Sequence, residues 1–413
     1  MFTSPEPRSN NKNVNNFLDS TSFQIENNTS FYRITASQNS DMKPIISWLN
    51  DSEYLAPLAP ACRMCAKGSK MVLLVTGQCT THCFYCPLSF KKGGTDCIFA
   101  DEWELENEKD TEKLISEAEY IDAAGAGITG GDPLVVWKRV QTYIRLLKQT
   151  FGDKFHIHLY TSALKNAEHL PDLVAAGLDE IRFHPMPQTW DTMQKSPLRK
   201  IIGTMVKTTA DVAIEIPVIP KMEKEIFALI TWADSQGIRW INLNELEFSE
   251  RNTQAFLTRG YTVKNDISAA VHGSQQSAQS IIKKVQKESF TIGVHYCSVS
   301  FKDGVQLRNR IKRRANHTAK PYDVITKDGT FIKGTIYSSK RSLRALSVEL
   351  KKTYKVPSHL LFIDYEKHRV ELAAWLLEKI ALKLPQDDYL CFLIEEYPTA
   401  DRLEIERIPV PAR

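Results

Sequence analysis

Three cysteines, Cys79, Cys83 and Cys86, fall within the stretch Thr76-Gly77-Gln78-Cys79-Thr80-Thr81-His82-Cys83-Phe84-Tyr85-Cys86-Pro87, directly after the apolar run from Met71 to Val75. Three thiolates on one short loop can hold three irons of a [4Fe-4S] cube, because cluster iron takes cysteine sulfur, and the fourth iron is then open to a second molecule. Zinc is the competing reading of such a loop. It wants a fourth ligand, however, and commonly comes with paired C-x2-C knuckles.

A second constellation follows in Gly127-Ile128-Thr129-Gly130-Gly131-Asp132-Pro133. The paired glycines let a ligand approach the backbone closely, and a carboxylate stands beside that backbone. The same residues also fit a plain strand-turn-helix in which Asp132 caps a helix starting at Pro133. Other candidates are polar side chains that interrupt apolar runs. Arg182 and His184 alternate with Ile181 and Phe183, so both point to one face. Glu215 lies inside the apolar run 212–219, where a carboxylate is costly to bury without a partner or ligand. Asn242, Asn244 and Glu247 are polar where a sheet covered on both faces should be apolar. Arg182, His184, Glu215 and Asn244 are therefore the candidates for acting on a substrate, against the plainer reading of packed or solvated polar groups.

A second metal centre is also conceivable. Cys62 and Cys65 form a C-x2-C pair upstream of the cysteine loop, and Cys297 follows much later in Val294-His295-Tyr296-Cys297. These three could share an auxiliary iron-sulfur cluster or zinc, with Cys97 or His295 as fourth ligand, or they could be unrelated thiols. Cys391 sits in an apolar stretch and reads as a core residue.

The elements that must position these groups alternate. Short apolar runs at 70–75, 125–129, 156–161, 180–184, 212–219 and 240–247 predict strands, separated by amphipathic stretches at 111–123, 135–149, 166–176, 197–208 and 224–236 that predict helices. Such alternation is the signature of a parallel α/β sheet. Six βα units are too few for a closed eight-stranded barrel, and ligands in such sheets bind outside the carboxyl ends of the strands. Residues 42–69 read as a lead-in and 70–250 as the partial barrel. Residues 251–319 read as a flanking segment with a helix, a strand at 295–297 and the basic run Arg308 to Arg314. Residues 320–413 read as a small α+β domain, with strands near 323–326, 331–337, 360–365 and 403–408 and helices at 341–353 and 369–383. The Asn- and Ser-rich residues 1–41 predict a disordered tail, with Met42 a candidate start.

The C-x3-C-x2-C spacing, with Tyr85 before the third cysteine and a loop that leaves a strand, resembles the radical S-adenosylmethionine (SAM) superfamily. Among its members the chain looks closest to archaeal proteins related to the pyruvate formate-lyase activating enzyme, which share the upstream C-x-x-C, the Val-Thr-Gly-x-Cys lead-in and the Cys86-Pro87-Leu88-Ser89 exit. The resemblance implies a (βα)6 partial TIM-like barrel and a [4Fe-4S] cluster on Cys79, Cys83 and Cys86. It implies that the open iron chelates SAM, which Gly130, Gly131 and Asp132 steady, with Asp in place of the commoner Glu. Thr161 and Tyr85 would lie near the same ligand. One electron from a ferredoxin or flavodoxin would split SAM and form a 5'-deoxyadenosyl radical that takes hydrogen from a substrate, a protein or peptide if the comparison with activating enzymes holds. Alternatives are SAM-dependent methyl or group transfer to RNA or protein, and a non-catalytic zinc-binding or RNA-associated module. The chain has no D-x-H-x-x-G cobalamin signature.

Composition fits a sizeable soluble enzyme. The 413 residues are 42% hydrophobic and 25% charged, with a formal net charge of +4 that names no partner by itself. No apolar run is long enough for a membrane span, and no signal peptide is visible. Grouped cysteines point to metal ligation in a reducing cytoplasm and away from a disulfide framework. The basic run at Arg308, Arg310, Lys312, Arg313 and Arg314 could track RNA phosphates, although a solvated face or an acidic protein partner is the commoner explanation.

Overall fold

The computed structural model describes residues 33–35, 43–385 and 388–411. Most of the expected tail therefore lies outside the described residues. Within it, β1 (Arg33–Thr35) pairs antiparallel with β2 (Ile45–Ser47), which pairs with β3 (Glu53–Leu55). Helix α1 (Pro60–Lys67) starts on a proline and stops at Gly68, whose φ of 68° is left-handed. A Cβ at Gly68 would also lie 2.3 Å from the Arg310 amide nitrogen.

The alternation then plays out as read, with boundaries within a few residues. Six strands run parallel: β4 (Lys70–Leu74), then β7 (Gly125–Thr129), β8 (His156–Thr161), β9 (Glu180–Phe183), β10 (Asp211–Val218) and β11 (Trp240–Glu245). Two short antiparallel strands, β5 (Ile98–Ala100) and β6 (Trp103–Leu105), extend the sheet beyond β4. Helices α2 (Thr111–Tyr120), α3 (Trp137–Phe151), α4 (Leu170–Ala175), α5 (Leu198–Met205) and α6 (Glu223–Ser235) make the crossovers. Each buries one stripe. On α3, Val140, Tyr143, Ile144 and Leu147 recur at helical spacing and are buried, against strand residues such as Ile128, Leu159 and Ile181 that are wholly inaccessible.

The expectation of six parallel strands falls one short. After α7 (Thr253–Thr258), the hairpin β12 (Val263–Asn265) and β13 (Ser268–Val271), and helix α8 (Ser274–Val285), strand β14 (Gly293–Cys297) joins the same sheet parallel to β11. Strand β3 covers its far side antiparallel. The segment read as flanking thus completes the sheet. It lacks a long apolar run because His295 sits opposite Asn242, and Cys297 opposite Asn244, in a shared polar layer.

The basic run also needs correction. It forms helix α9 (Arg308–Thr318), and three of its cations pair with acids of the barrel. Arg310 pairs with Asp101 at 3.1 Å and Glu102 at 2.5 Å, Arg313 with Asp122 at 2.5 Å, and Arg314 with Glu117 at 2.9 Å. These three charges dock the helix on the barrel, so the run is not a wholly solvated basic face.

Residues 320–411 form the C-terminal α+β domain, with β15 (Val324–Ile325), β16 (Phe331–Tyr337), β17 (Leu361–Asp364), β18 (Arg369–Leu372), β19 (Leu390–Glu396) and β20 (Glu404–Pro409). The order is β17-β18-β16-β19-β20, with β15 on β16, and helices α10 (Leu343–Lys352) and α11 (Ala374–Ala381) pack against it. Cys391 is a core residue, as expected. The helix expected over 369–383 begins only at Ala374, because Arg369 and Glu371 belong to a strand. Their charges read as a polar helix face, yet both are fully buried and paired with each other at 2.6 Å, while Arg369 also meets Glu396 at 2.7 Å.

This network makes the domain acid-sensitive. Burial pushes the Glu371 carboxyl up, but Lys333 and Arg369 outweigh it and hold it at about 2, below the ordinary 4.5. A depressed carboxylate stabilises the fold fully above its unfolded pKa and loses that contribution as pH falls through the folded value. Urea titrations should show up to about 3 kcal/mol lost between pH 4.5 and pH 2. Glu371→Gln should flatten that slope, and an unchanged slope would count against the network.

Candidate active site

A cavity of about 740 Å³ lies at the carboxyl ends of these strands, within the size range of ligand sites. Cys79, Cys83 and Cys86 line its mouth; Gly130, Gly131 and Asp132 line the adjoining wall; Tyr85, Thr161, His184, Glu215 and Asn244 also face it. The sequence candidates are therefore brought together, with Arg182 one layer behind.

The cysteine loop is fixed at both ends by polar contacts. Arg139 of α3 donates to the Val75 carbonyl at 2.7 Å and holds Asp96 at 2.7 and 3.0 Å, and Asp96 in turn accepts from the Thr76 hydroxyl. At the far end, Asn252 donates to the Tyr85 carbonyl and the Ser249 hydroxyl to the Cys86 carbonyl, each at 3.4 Å. The thiols themselves are free cysteines with weak partners. The Thr81 hydroxyl lies 3.0 Å from Cys79 Sγ and 3.5 Å from Cys83 Sγ. Among the described residues no group of three His, Cys, Asp or Glu side chains stands ready around a metal position. What fits a cluster is the donor set, three uncommitted sulfurs of one loop at one cavity mouth.

The Gly-Gly-Asp turn does something its sequence does not announce. Gly131 N–H donates to the Thr76 carbonyl and Asp132 N–H to the Gln78 carbonyl, both at 2.8 Å. A Cβ at Gly130 would sit 2.1 Å from the Thr76 oxygen, and one at Gly131 would sit 2.1 Å from the Gln78 oxygen. The glycines thus let the cysteine loop press against the end of β7. Asp132 caps the turn at Pro133, accepting from Leu134 N–H at 3.1 Å, and its carboxylate also takes Thr161 Oγ1 at 2.8 Å, Ser162 N–H at 3.0 Å and Ser162 Oγ at 2.5 Å. Both expected uses of Asp132 meet the cavity wall, but the oxygens are spent on capping and on tying β7 to β8. Ser162, not singled out from sequence, completes this knot.

Deeper in the cavity, Tyr85 joins the loop to the barrel wall. Burial pushes the His184 imidazole below its ordinary pKa. Neutral His184 donates from Nδ1 to the Glu215 carbonyl at 2.7 Å, so its Nε2 accepts from the Tyr85 hydroxyl at 2.9 Å. The Glu215 carboxylate accepts from Asn244 at 2.9 Å and Arg182 at 2.7 Å. Burial raises that carboxyl, but Arg182 and Asn244 outweigh it and leave it below the ordinary value.

Arg182 is 2% exposed and bridges Glu215 and Glu180, the latter at 2.6 Å. It supports Glu215 from behind and does not face the cavity. Arg182→Met should cost about 3–5 kcal/mol, because two carboxylates lose their buried cation. Chemical denaturation would measure this, and a loss under about 1 kcal/mol would refute the pairing argument.

The sulfurs expected to share a second metal have separate partners. Cys62 Sγ contacts Asn242 Oδ1 at 3.3 Å and receives Arg182 at 3.6 Å, while Cys297 Sγ receives Gln306 at 3.4 Å. Cys65 lies within electrostatic reach of the Lys70 ammonium. Both His295 nitrogens are occupied, by Ser52 at 3.1 Å and Asn242 at 2.9 Å. Cys97 lies against the Lys92 carbonyl and lines a different pocket, with Asp96 and Arg139. No auxiliary centre is assembled from these groups among the described residues. Sequence reasoning also passed over Lys70 and His158. Each is polar on a strand otherwise buried, the same signal that singled out Glu215.

A profile of the radical SAM superfamily matches residues 73–216, which include the cysteine loop and β10. A Methanocaldococcus jannaschii protein, provisionally named as a glycyl-radical enzyme activating enzyme, is 37% identical over 367 residues, 87% of this chain and 94% of that protein. The chain belongs to the radical SAM superfamily. It is an enzyme of the α/β partial-barrel type, in a family that works with SAM and a [4Fe-4S] cluster. Residues 329–410 match a domain family of unknown function. Among solved structures, SuiB of Streptococcus suis bound to SAM is 11% identical over 56% of this chain and 50% of its own, with a TM-score of 0.40. The methyltransferase TsrM of Kitasatospora setae, with cobalamin and a [4Fe-4S] cluster bound, is 10% identical over 61% of this chain and 52% of its own, with a TM-score of 0.33. The chain spans about half the length of each of these two. Among the described residues no helix is long and apolar enough to cross a membrane.

Proposed function

We propose that this radical SAM enzyme carries a [4Fe-4S] cluster on Cys79, Cys83 and Cys86, cleaves SAM reductively to methionine and a 5'-deoxyadenosyl radical, and takes a hydrogen atom from a protein or peptide. The observation that carries the reading is the meeting of those three thiols with the Gly130 to Asp132 turn at the mouth of one cavity. The cluster, when bound, supplies the one-electron chemistry. The chain's own residues hold and enclose the ligands. The turn bolts the cysteine loop in place through two backbone hydrogen bonds. Tyr85, His184, Glu215 and Asn244 line the wall that a substrate would meet.

The protein or peptide class follows from the name given to the Methanocaldococcus relative. One electron comes from a low-potential donor, a ferredoxin or flavodoxin, in the cytoplasm, a compartment that suits eight free thiols. The test is anaerobic reconstitution, dithionite reduction and product analysis. 5'-Deoxyadenosine is the expected product. S-adenosylhomocysteine would instead assign nucleophilic methyl transfer, and a colourless protein holding only zinc would assign a metal-binding module.

A further inference from the structure

We infer that the floor of the cavity is a binding site for a carboxylate group of the substrate, built around Lys70. The inference deepens the reading above, and rests on it for the reaction that the bound group enters. Lys70 is the first residue of β4, and its ammonium lines the cavity. Its Nζ lies 3.2 Å from the Tyr160 hydroxyl and 3.4 Å from His158 Nε2. Among the described residues no carboxylate lies within 4.0 Å of it.

Other inward-facing cations of this protein are treated differently. Arg182, Arg314, Lys333 and Arg369 each hold a carboxylate at 2.6 to 2.9 Å. A half-buried ammonium with no carboxylate in direct contact is costly, so an anion that enters the cavity is favoured there. The nearest acids cannot serve. Glu215 and Glu180 are committed to Arg182.

The donors leave room for a ligand. His158 Nε2 has one lone pair, and the Tyr160 hydroxyl reaches it at 3.0 Å, closer than Lys70 does. An ammonium has three N–H groups, and the Tyr160 hydroxyl takes one, so donor capacity remains toward the cavity. Gly127 keeps that space open, since a Cβ there would lie 2.7 Å from His158 Nε2 and 3.4 Å from Lys70 Nζ. A single positive charge with Glu215 also facing the cavity suits a monoanionic carboxylate better than a phosphate dianion.

Calorimetric titration of the reconstituted full chain with N-acetylglycine and with N-acetylglycinamide tests this. The acid should bind at least about ten-fold tighter than the amide, as a charge-assisted contact predicts. Lys70→Met should erase that preference and Lys70→Arg should keep it. If Lys70→Met does not fold, Gly127→Ala, which fills the floor without removing charge, must weaken the acid by a similar factor. Equal binding of acid and amide to the parent protein overturns the proposal, as does a preference that survives in Lys70→Met. Uncoupled 5'-deoxyadenosine formation, measured in parallel, separates the two readings. If it fails while the acid preference persists, the radical chemistry falls and the carboxylate site stands.

Discussion

Cys83→Ala should abolish the proposed SAM cleavage and cost the protein its iron while leaving the fold intact. Cys83 is the middle of the three thiols and the best enclosed, with its sulfur between the Thr81 hydroxyl and Met186 Sδ at 3.5 and 4.0 Å. Burial pushes its thiol above the ordinary value of 9.0, so little but a bound metal favours its deprotonated form. With only Cys79 and Cys86 remaining, two irons of a cube lack protein sulfur. 5'-Deoxyadenosine formation should fall by more than about 1,000-fold, on the scale of removing a group that acts as part of one unit. Thermal stability without the cluster should change by less than about 1 kcal/mol, because the position is a partly exposed loop. Retention of both iron and cleavage in the variant would sink the cluster assignment.

The second large effect is expected at Gly131, through the cysteine loop that packs against it. Gly131→Ala places a methyl 2.1 Å from the Gln78 carbonyl oxygen and 2.5 Å from its carbon, and both atoms belong to backbone that cannot rotate away. The loop must lift, and the Gly131 to Thr76 and Asp132 to Gln78 hydrogen bonds go with it. Two hydrogen bonds at roughly 1 kcal/mol each, plus overpacking, give a cost of about 2–4 kcal/mol. The more telling readout is cluster retention, which should drop sharply even where the protein remains folded. Gly203→Ala is the control, since nothing lies within 4 Å of a Cβ at Gly203 in α5. It should leave iron content unchanged and stability equal or slightly higher. If Gly131→Ala holds its cluster as the parent does, the loop is not held by this turn.

These two variants divide along a line that runs through the whole molecule. The meeting of Cys79, Cys83 and Cys86 at one place was legible, because three sulfurs at that spacing share one short loop. The order of strands and helices from β4 to β11 was legible too, because apolar periodicity is local and each element carries its own copy of it. The glycines of the turn were correctly noticed, but the neighbour they admit is the cysteine loop's own backbone, which lies far from them in sequence. Arg182 and His184 share a strand face, yet His184 meets the cavity and Arg182 the layer beneath. Depth within a barrel is set by how strands stagger and is not written in alternation.

Buried charge was the recurrent source of error. Arg369 and Glu371 looked like a helix surface, and Arg310, Arg313 and Arg314 like a basic face, because a charged residue met alone is best read as solvated. Each instead finds its opposite charge across the fold, at Glu396, Asp101, Asp122 and Glu117. The same blindness hid Lys70, whose lack of a carboxylate partner is visible only once every neighbour is placed.

By itself the sequence determined the chemistry that can be held, the cysteine set, and the alternating elements that carry it, since both depend on residues a few positions apart. Tertiary structure decided the seventh strand, the contact of Gly130 and Gly131 with the cysteine loop, and which charges are paired. Those outcomes depend on contacts between distant segments, whose energies come from packing and from charges meeting in a low-dielectric interior, and no local pattern encodes them.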